Sequence, residues 1–255
     1  MDSNTANDMP GAIALVGSGE YTAAMDATDL RLLETLGGPA RGRVALIPTA
    51  SALEDGQPQR WNALGAAHFA RLGAQTTQLP LLTRDDAGDP ALVGVLEAQN
   101  FYYFSGGNPR YLAEALDTTL AWSAIRSRWL AGAVVAGCSA GAMMLGEALL
   151  QIRELRAGQP PRWQPGRNLA AGLAVLPHFD RLRQWMSEQQ LEELAASAPP
   201  GVTVIGVDED TALVRLPAES GASPVWHVLG RRTVTVFERT GRPSVFGSGE
   251  TIALG

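Results

Sequence analysis

From residue 11 onward, short runs that are apolar almost throughout alternate with longer segments whose apolar residues recur at helical spacing. GAIALVG (11–17), RVALIPTAS (43–51), FYYFSGG (101–107) and AVVAGCSAG (133–141) read as buried strands, and TTQLPLL (76–82) as a weaker one. Between them, residues 30–38, 58–72, 89–99 and 108–116 read as helices. Two of these carry start signals, Asp89 then Pro90 and Asn108 then Pro109. In each pair a capping side chain precedes a proline whose missing N–H costs nothing at the first helical position. Strands apolar on both faces and separated by helices predict an α/β three-layer sandwich, with a mostly parallel central sheet and helices on both faces. After residue 200 the pattern changes. VTVIGVDEDTALVRL, PVWHVLG, TVTVFE and ETIAL are strand-like with turns between them, which predicts antiparallel edge strands at the C-terminal end. LPAESGASP (216–224) reads as a surface loop rather than a boundary, so one domain is expected over 11–255, after a disordered tail at 1–10.

Composition narrows the function classes. The chain has 255 residues, 45% hydrophobic and 18% charged, enough apolar surface for a sizeable core. The formal net charge of −6 argues against a nucleic-acid partner. No run of 18 apolar residues suggests a membrane helix, and the polar start MDSNTANDMP has neither the basic nor the apolar region of a secretory signal. A cytoplasmic protein is therefore expected. The single cysteine, Cys138, rules out an internal disulfide framework, and no Cys/His cluster points to a metal. Neither metal nor organic cofactor is expected.

Ligands of open parallel sheets bind beyond the carboxyl ends of the strands. Residues 17–20, 105–109 and 137–141 fall there. Gly137-Cys138-Ser139-Ala140-Gly141 matches G-x-S-x-G, the nucleophile elbow, in which the residues two before and two after the nucleophile must be small. Ser139 is flanked in this way by Gly137 and Gly141, and Cys138 by Ala136 and Ala140, so sterics favour the serine only mildly. Of the three histidines, His68 falls within a helix and His227 within a late strand, whereas His178 follows an apolar run at a strand end and is the expected general base. A carboxylate should orient it. Between Ser139 and His178 stand only Glu147, too far along its helix, and Glu154, the expected choice, with Asp208, Glu209 and Asp210 of GVDEDTALV as alternatives. An oxyanion hole needs converging amides. Ala140 supplies one by geometry, and SGGNP (105–109) can supply another through Gly106 or Gly107. Glu20, in GSGEY (17–21), either faces the pocket to hold a substrate amino group or caps the next helix.

GCSAGAMML, FYYFSGGNPRYL, GLAVLPHFDRLR and VIGVDEDTALV, in this order over roughly residues 12–215, resemble the S51 serine peptidases, which include cyanophycinase and the aspartyl dipeptidase peptidase E, within the class I glutamine amidotransferase-like fold. The resemblance implies Ser139 as nucleophile, His178 as base and Glu154 as acid, with Gly106 or Gly107 and Ala140 forming the oxyanion hole. It also implies substrate contacts from Arg181 and Arg183, to which Asn108 and Glu20 are added, and a homodimer. Two departures from cyanophycinases are Pro109 in place of a glutamine and the closer spacing of Arg181 and Arg183 to His178. RAGQPPRWQPGRN (156–168) is expected to overhang the pocket and read an acidic substrate through Arg162 and Arg167. The expected activity is hydrolysis of small peptides or isopeptides beside an acidic residue. The competing readings are a catalytically silent binding domain and an amidotransferase-type enzyme acting through Cys138.

Overall fold

The computed structural model describes residues 10–217, 225–238 and 242–254. The expected tail therefore lies outside the described residues save for Pro10, and of the loop at 216–224 only Leu216 and Pro217 are described. In chain order the strands are β1 (Ile13–Val16), β2 (Arg43–Ile47), β3 (Gln75–Gln78), β4 (Phe101–Phe104), β5 (Val134–Cys138), β6 (Ala148–Leu150), β7 (Trp163–Pro165), β8 (Leu173–Leu176), β9 (Thr203–Val207), β10 (Thr211–Arg215), β11 (Val225–Gly230), β12 (Thr233–Phe237), β13 (Ser244–Gly247) and β14 (Thr251–Ala253). The helices are α1 (Asp26–Glu34), α2 (Gln57–Arg71), α3 (Pro90–Glu97), α4 (Pro109–Leu116), α5 (Leu120–Leu130), α6 (Ala140–Leu145), α7 (Ile152–Arg156), α8 (Phe179–Leu182) and α9 (Glu188–Ala196). Both expected caps form: Asp89 accepts the Ala91 N–H at 2.8 Å, and Asn108 the Tyr111 N–H at 3.2 Å.

The main sheet runs β14-β11-β10-β1-β5-β4-β2-β3. β1, β5, β4, β2 and β3 are mutually parallel, and β10, β11 and β14 extend the β1 side antiparallel. Side chains alternate across the sheet. Ala14, Val16, Val44, Leu46, Phe101 and Tyr103 pack with Leu32 and Leu33 of α1 and Phe69 of α2. Ile13, Leu15, Ala45, Ile47, Tyr102 and Phe104 pack on the opposite side with Leu112 of α4, Ile125 of α5 and Met144 of α6. Both faces are thus covered by helices, and the strands are apolar on both sides for that reason. No helix among the described residues is long and apolar enough to cross a membrane.

Not all the late strands form an antiparallel edge. β9, β12 and β13 leave the main sheet and join β8 in a second sheet, β13-β12-β9-β8, in which β8 and β9 are parallel. Hydrophobic pattern marks a segment as a strand but does not say which sheet it enters. The turn Asp208–Asp210 carries the chain from β9 back to β10, so it joins the two sheets. Its position follows from that role: β10 pairs with β1, which sets the turn beside the carboxyl end of β1. β6 and β7, with α7 between them, form a separate two-stranded sheet whose β6 packs into the core beside β8.

Candidate active site

Ser139 occupies the sharp turn from β5 into α6 with φ 49° and ψ −105°, a conformation a non-glycine residue adopts only under constraint from its surroundings. The constraint is visible in its flanks. A Cβ on Gly137 would lie 2.4 Å from the Gly141 carbonyl carbon, and one on Gly141 would lie 2.5 Å from the Phe104 carbonyl oxygen. Both neighbours are backbone and cannot swing away. Gly137→Ala and Gly141→Ala are each expected to cost about 2 kcal/mol or more of stability. Gly94→Ala, in α3 where nothing lies within 4 Å of the new methyl, is expected to stabilise by about 0.5 to 1 kcal/mol. Urea unfolding of the three variants checks this contrast.

Turning Ser139 outward turns Cys138 inward. Cys138 is wholly buried, with Sγ 2.9 Å from Glu20 Oε2. Burial, reinforced by Glu20, pushes its thiol well above the ordinary value, the reverse of what a reactive cysteine requires.

His178 follows β8 in a left-handed conformation, φ 48°, with its amide donating to the Gly17 carbonyl at 3.3 Å. Its Nε2 lies 3.1 Å from Ser139 Oγ, and its Nδ1 lies 2.8 Å from Glu209 Oε1. The carboxylate on the imidazole is therefore Glu209, one of the alternatives, and not Glu154. Glu154 sits on α7 at the cavity rim, 3.8 Å from Arg162 Nε. The reason is topological. β8 and β9 are parallel neighbours with Leu176 opposite Gly206, so the loops that follow them emerge side by side. Glu209 is held there by its backbone N–H, which donates to Asp180 Oδ1 at 3.0 Å, and by Asp208, which accepts from Arg183 and Thr233. Burial raises the Glu209 carboxyl's pKa, but hydrogen bonds from His178 and Arg181 outweigh it and hold the group below its ordinary value of 4.5. Glu147, expected far along its helix, instead lies past the end of the short α6, where it accepts the Gly172 N–H at 2.7 Å.

Other expected residues divide. Gly107 and Ala140 line the cavity with Ser139. Gly107 (φ 147°) lies so close to the 49–51 turn that a Cβ would fall 2.3 Å from the Ala50 carbonyl oxygen. Its amide has no protein acceptor among the described residues, and that of Ala140, first in α6, has none within its helix. The Gly106 amide is not free: it donates to Glu20 Oε1 at 3.0 Å. Glu20 is buried, neither facing the cavity nor capping a helix. Asn108 and Arg181 line the cavity, whereas Arg183 turns to Asp208 and the face of Phe179, outside it. Arg162 and Arg167 do not line it either, and Arg167 pairs with Asp117. The overhang is α7 itself, residues 152–156, and the arginines of the roughly 600 Å³ cavity are Arg110, Arg153, Arg156 and Arg181. In IRELR the alternating charges gave no local sign of which residues face inward. His68 is buried with Nε2 2.7 Å from Asp29 Oδ2, remote from this cavity's lining. Among the described residues no His, Cys, Asp or Glu cluster could hold a metal ion.

An α/β protein with a serine, a histidine and a carboxylate in a row at the ends of parallel strands is the class that fold and site define. The chain belongs to peptidase family S51, whose model matches residues 13–217. It is 28% identical over 202 residues to cyanophycinases of Synechococcus elongatus and Thermosynechococcus vestitus, covering 76% of this chain. The chain spans only 58% of the length of those relatives. A crystal structure of a peptidase from an acI-B1 actinobacterium is 32% identical, covers 97% of this chain and 98% of its own, and superposes with a TM-score of 0.83. A candidate peptidase E protein from Listeria monocytogenes EGD-e shares the fold at 19% identity, with a TM-score of 0.57 over 88% of this chain and 98% of that one.

Proposed function

We propose that the chain is a serine-type peptidase that hydrolyses small peptides or isopeptides beside an acidic residue. The observation that carries this reading is the continuous row from Ser139 Oγ through His178 to Glu209, with separations of 3.1 and 2.8 Å. Ser139 stands on a nucleophile elbow. His178 Nε2 takes the serine proton as Oγ attacks the carbonyl, and Glu209 holds the proton on Nδ1 and stabilises the imidazolium that forms. The Gly107 and Ala140 amides receive the oxyanion. His178 then protonates the leaving amine, and water releases the acyl group by the same route reversed. Among the described residues, four arginines line the cavity against Glu154 as the one carboxylate, which supports the acidic preference.

The test combines labelling with a substrate panel. A fluorophosphonate should label Ser139. Asp-X and β-aspartyl dipeptides should be cleaved faster than neutral dipeptides and faster than cyanophycin, whose arginyl branches meet a basic rim. Absence of label, or activity lost to iodoacetamide alone, would turn the assignment towards a silent domain or Cys138.

Arg181 serves this reading twice, at the cavity and on Glu209, with Nε 2.8 Å from Oε1. Because the Glu209 pKa is lowered, its contribution to stability is present above pH 4.5 and is lost as pH falls through the lowered value. Arg181→Ala leaves burial less opposed, so this loss, and the acid limb of activity, should move to higher pH. Thermal unfolding and labelling rates followed from about pH 3 to 6 check the shift.

A further inference from the structure

Glu20 is buried with no cation paired to it among the described residues, and its carboxyl group accepts from the Gly106 N–H at 3.0 Å and from the Cys138 thiol at 2.9 Å. Burying a carboxyl without a positive partner is an expensive way to fill space, and costs of this kind concentrate where function needs them. Both donors adjoin the chemistry. Cys138 precedes Ser139. Gly106 precedes Gly107 and packs against the serine itself: a Cβ on it would lie 3.5 Å from Ser139 Cβ and 4.0 Å from Oγ. One carboxyl group therefore ties the 105–107 loop to the turn bearing the serine.

We infer that Glu20 is a positioning residue: by occupying the Gly106 amide from behind, it sets the orientation of the following peptide, so that the Gly107 N–H faces the oxyanion formed on Ser139. The inference rests on the serine-peptidase reading. Cys138 has a role within it as the second donor, kept protonated by burial, which explains a cysteine beside a serine nucleophile without giving it chemistry. Glu20 touches no substrate. Its effect should appear where the tetrahedral oxygen is bound and not where the peptide is bound.

The rate of fluorophosphonate labelling reads the first, because the phosphoryl oxygen takes the oxyanion position. Peptide affinity measured in a Ser139→Ala background reads the second. Glu20→Asp keeps the acid but withdraws it by one methylene, and should slow labelling about 100-fold, the usual effect of losing one oxyanion donor. Glu20→Gln still accepts from Gly106 and should label within about threefold of wild type. Peptide affinity should be unchanged in both. Wild-type labelling by a folded Glu20→Asp variant overturns the inference, as does Glu20→Gln labelling as slowly as Glu20→Asp, or a parallel loss of peptide affinity. Wild-type protein that takes no label removes the serine-peptidase reading, and this inference with it.

Discussion

Ser139→Ala is expected to lower kcat by about a millionfold while leaving KM within severalfold, with residual catalysis from the oxyanion amides and binding alone. The size follows from the geometry. Among the described residues the hydroxyl is the one nucleophilic atom in hydrogen-bond reach of His178 Nε2, at 3.1 Å, and its turn is held by backbone contacts that a methyl side chain leaves intact. Alanine removes the attacking atom without a new void, so the melting temperature should stay close to that of wild type. Cys138→Ser in the same assay should retain most activity, since the thiol faces Glu20 and not the cavity. Steady-state kinetics on the two adjacent substitutions decides between them: equal losses, or a larger loss at Cys138, would reject Ser139 as the attacking residue.

Glu209→Gln is expected to lower kcat about 10⁴-fold, and Glu154→Gln to change it by less than about threefold. A glutamine at 209 can present its amide N–H to Nδ1, which puts the imidazole proton on Nε2 and points it at Ser139, so the histidine can no longer accept the serine proton. Glu154 has no bond to the imidazole to lose. The pair of variants separates a carboxylate that fixes a tautomer from one that shapes a rim. Comparable losses at both positions would reject the assignment of Glu209.

Much of this arrangement was legible in the sequence. Apolar runs bounded by glycines, with Asp89-Pro90 and Asn108-Pro109 between them, marked the strands and helices of the parallel half, and the glycine pair around Cys138-Ser139-Ala140 marked the strained turn. The orienting acid was not fixed, for a physical reason. Between Ser139 and His178 in the chain, Glu154 has the expected order, but the chain order of a triad does not follow from its geometry. Glu209 reaches His178 because β8 and β9 lie side by side in a sheet separate from that of β5, a long-range pairing that local pattern does not encode. The arginines were misplaced similarly. Residues 156–168 look like an overhang because they are rich in proline and arginine, yet Arg167 is drawn to Asp117 and the shorter α7 occupies the rim. Gly106 illustrates a different limit: two adjacent glycines look equivalent in sequence, and only the buried Glu20 distinguishes the occupied amide from the free one.

The division of the row between two sheets has a consequence for the chain as it is made. Ser139 follows β5 of the first sheet and is synthesised before His178 and Glu209, which follow β8 and β9 of the second, and the turn with Glu209 leads into β10, the strand that closes onto β1. A nascent chain that has folded β1 to β5 alone holds an unactivated hydroxyl. On the proposed roles, the row from Ser139 through His178 to Glu209 is therefore complete only once the second sheet is in place and the 208–210 turn has brought the chain back to the first.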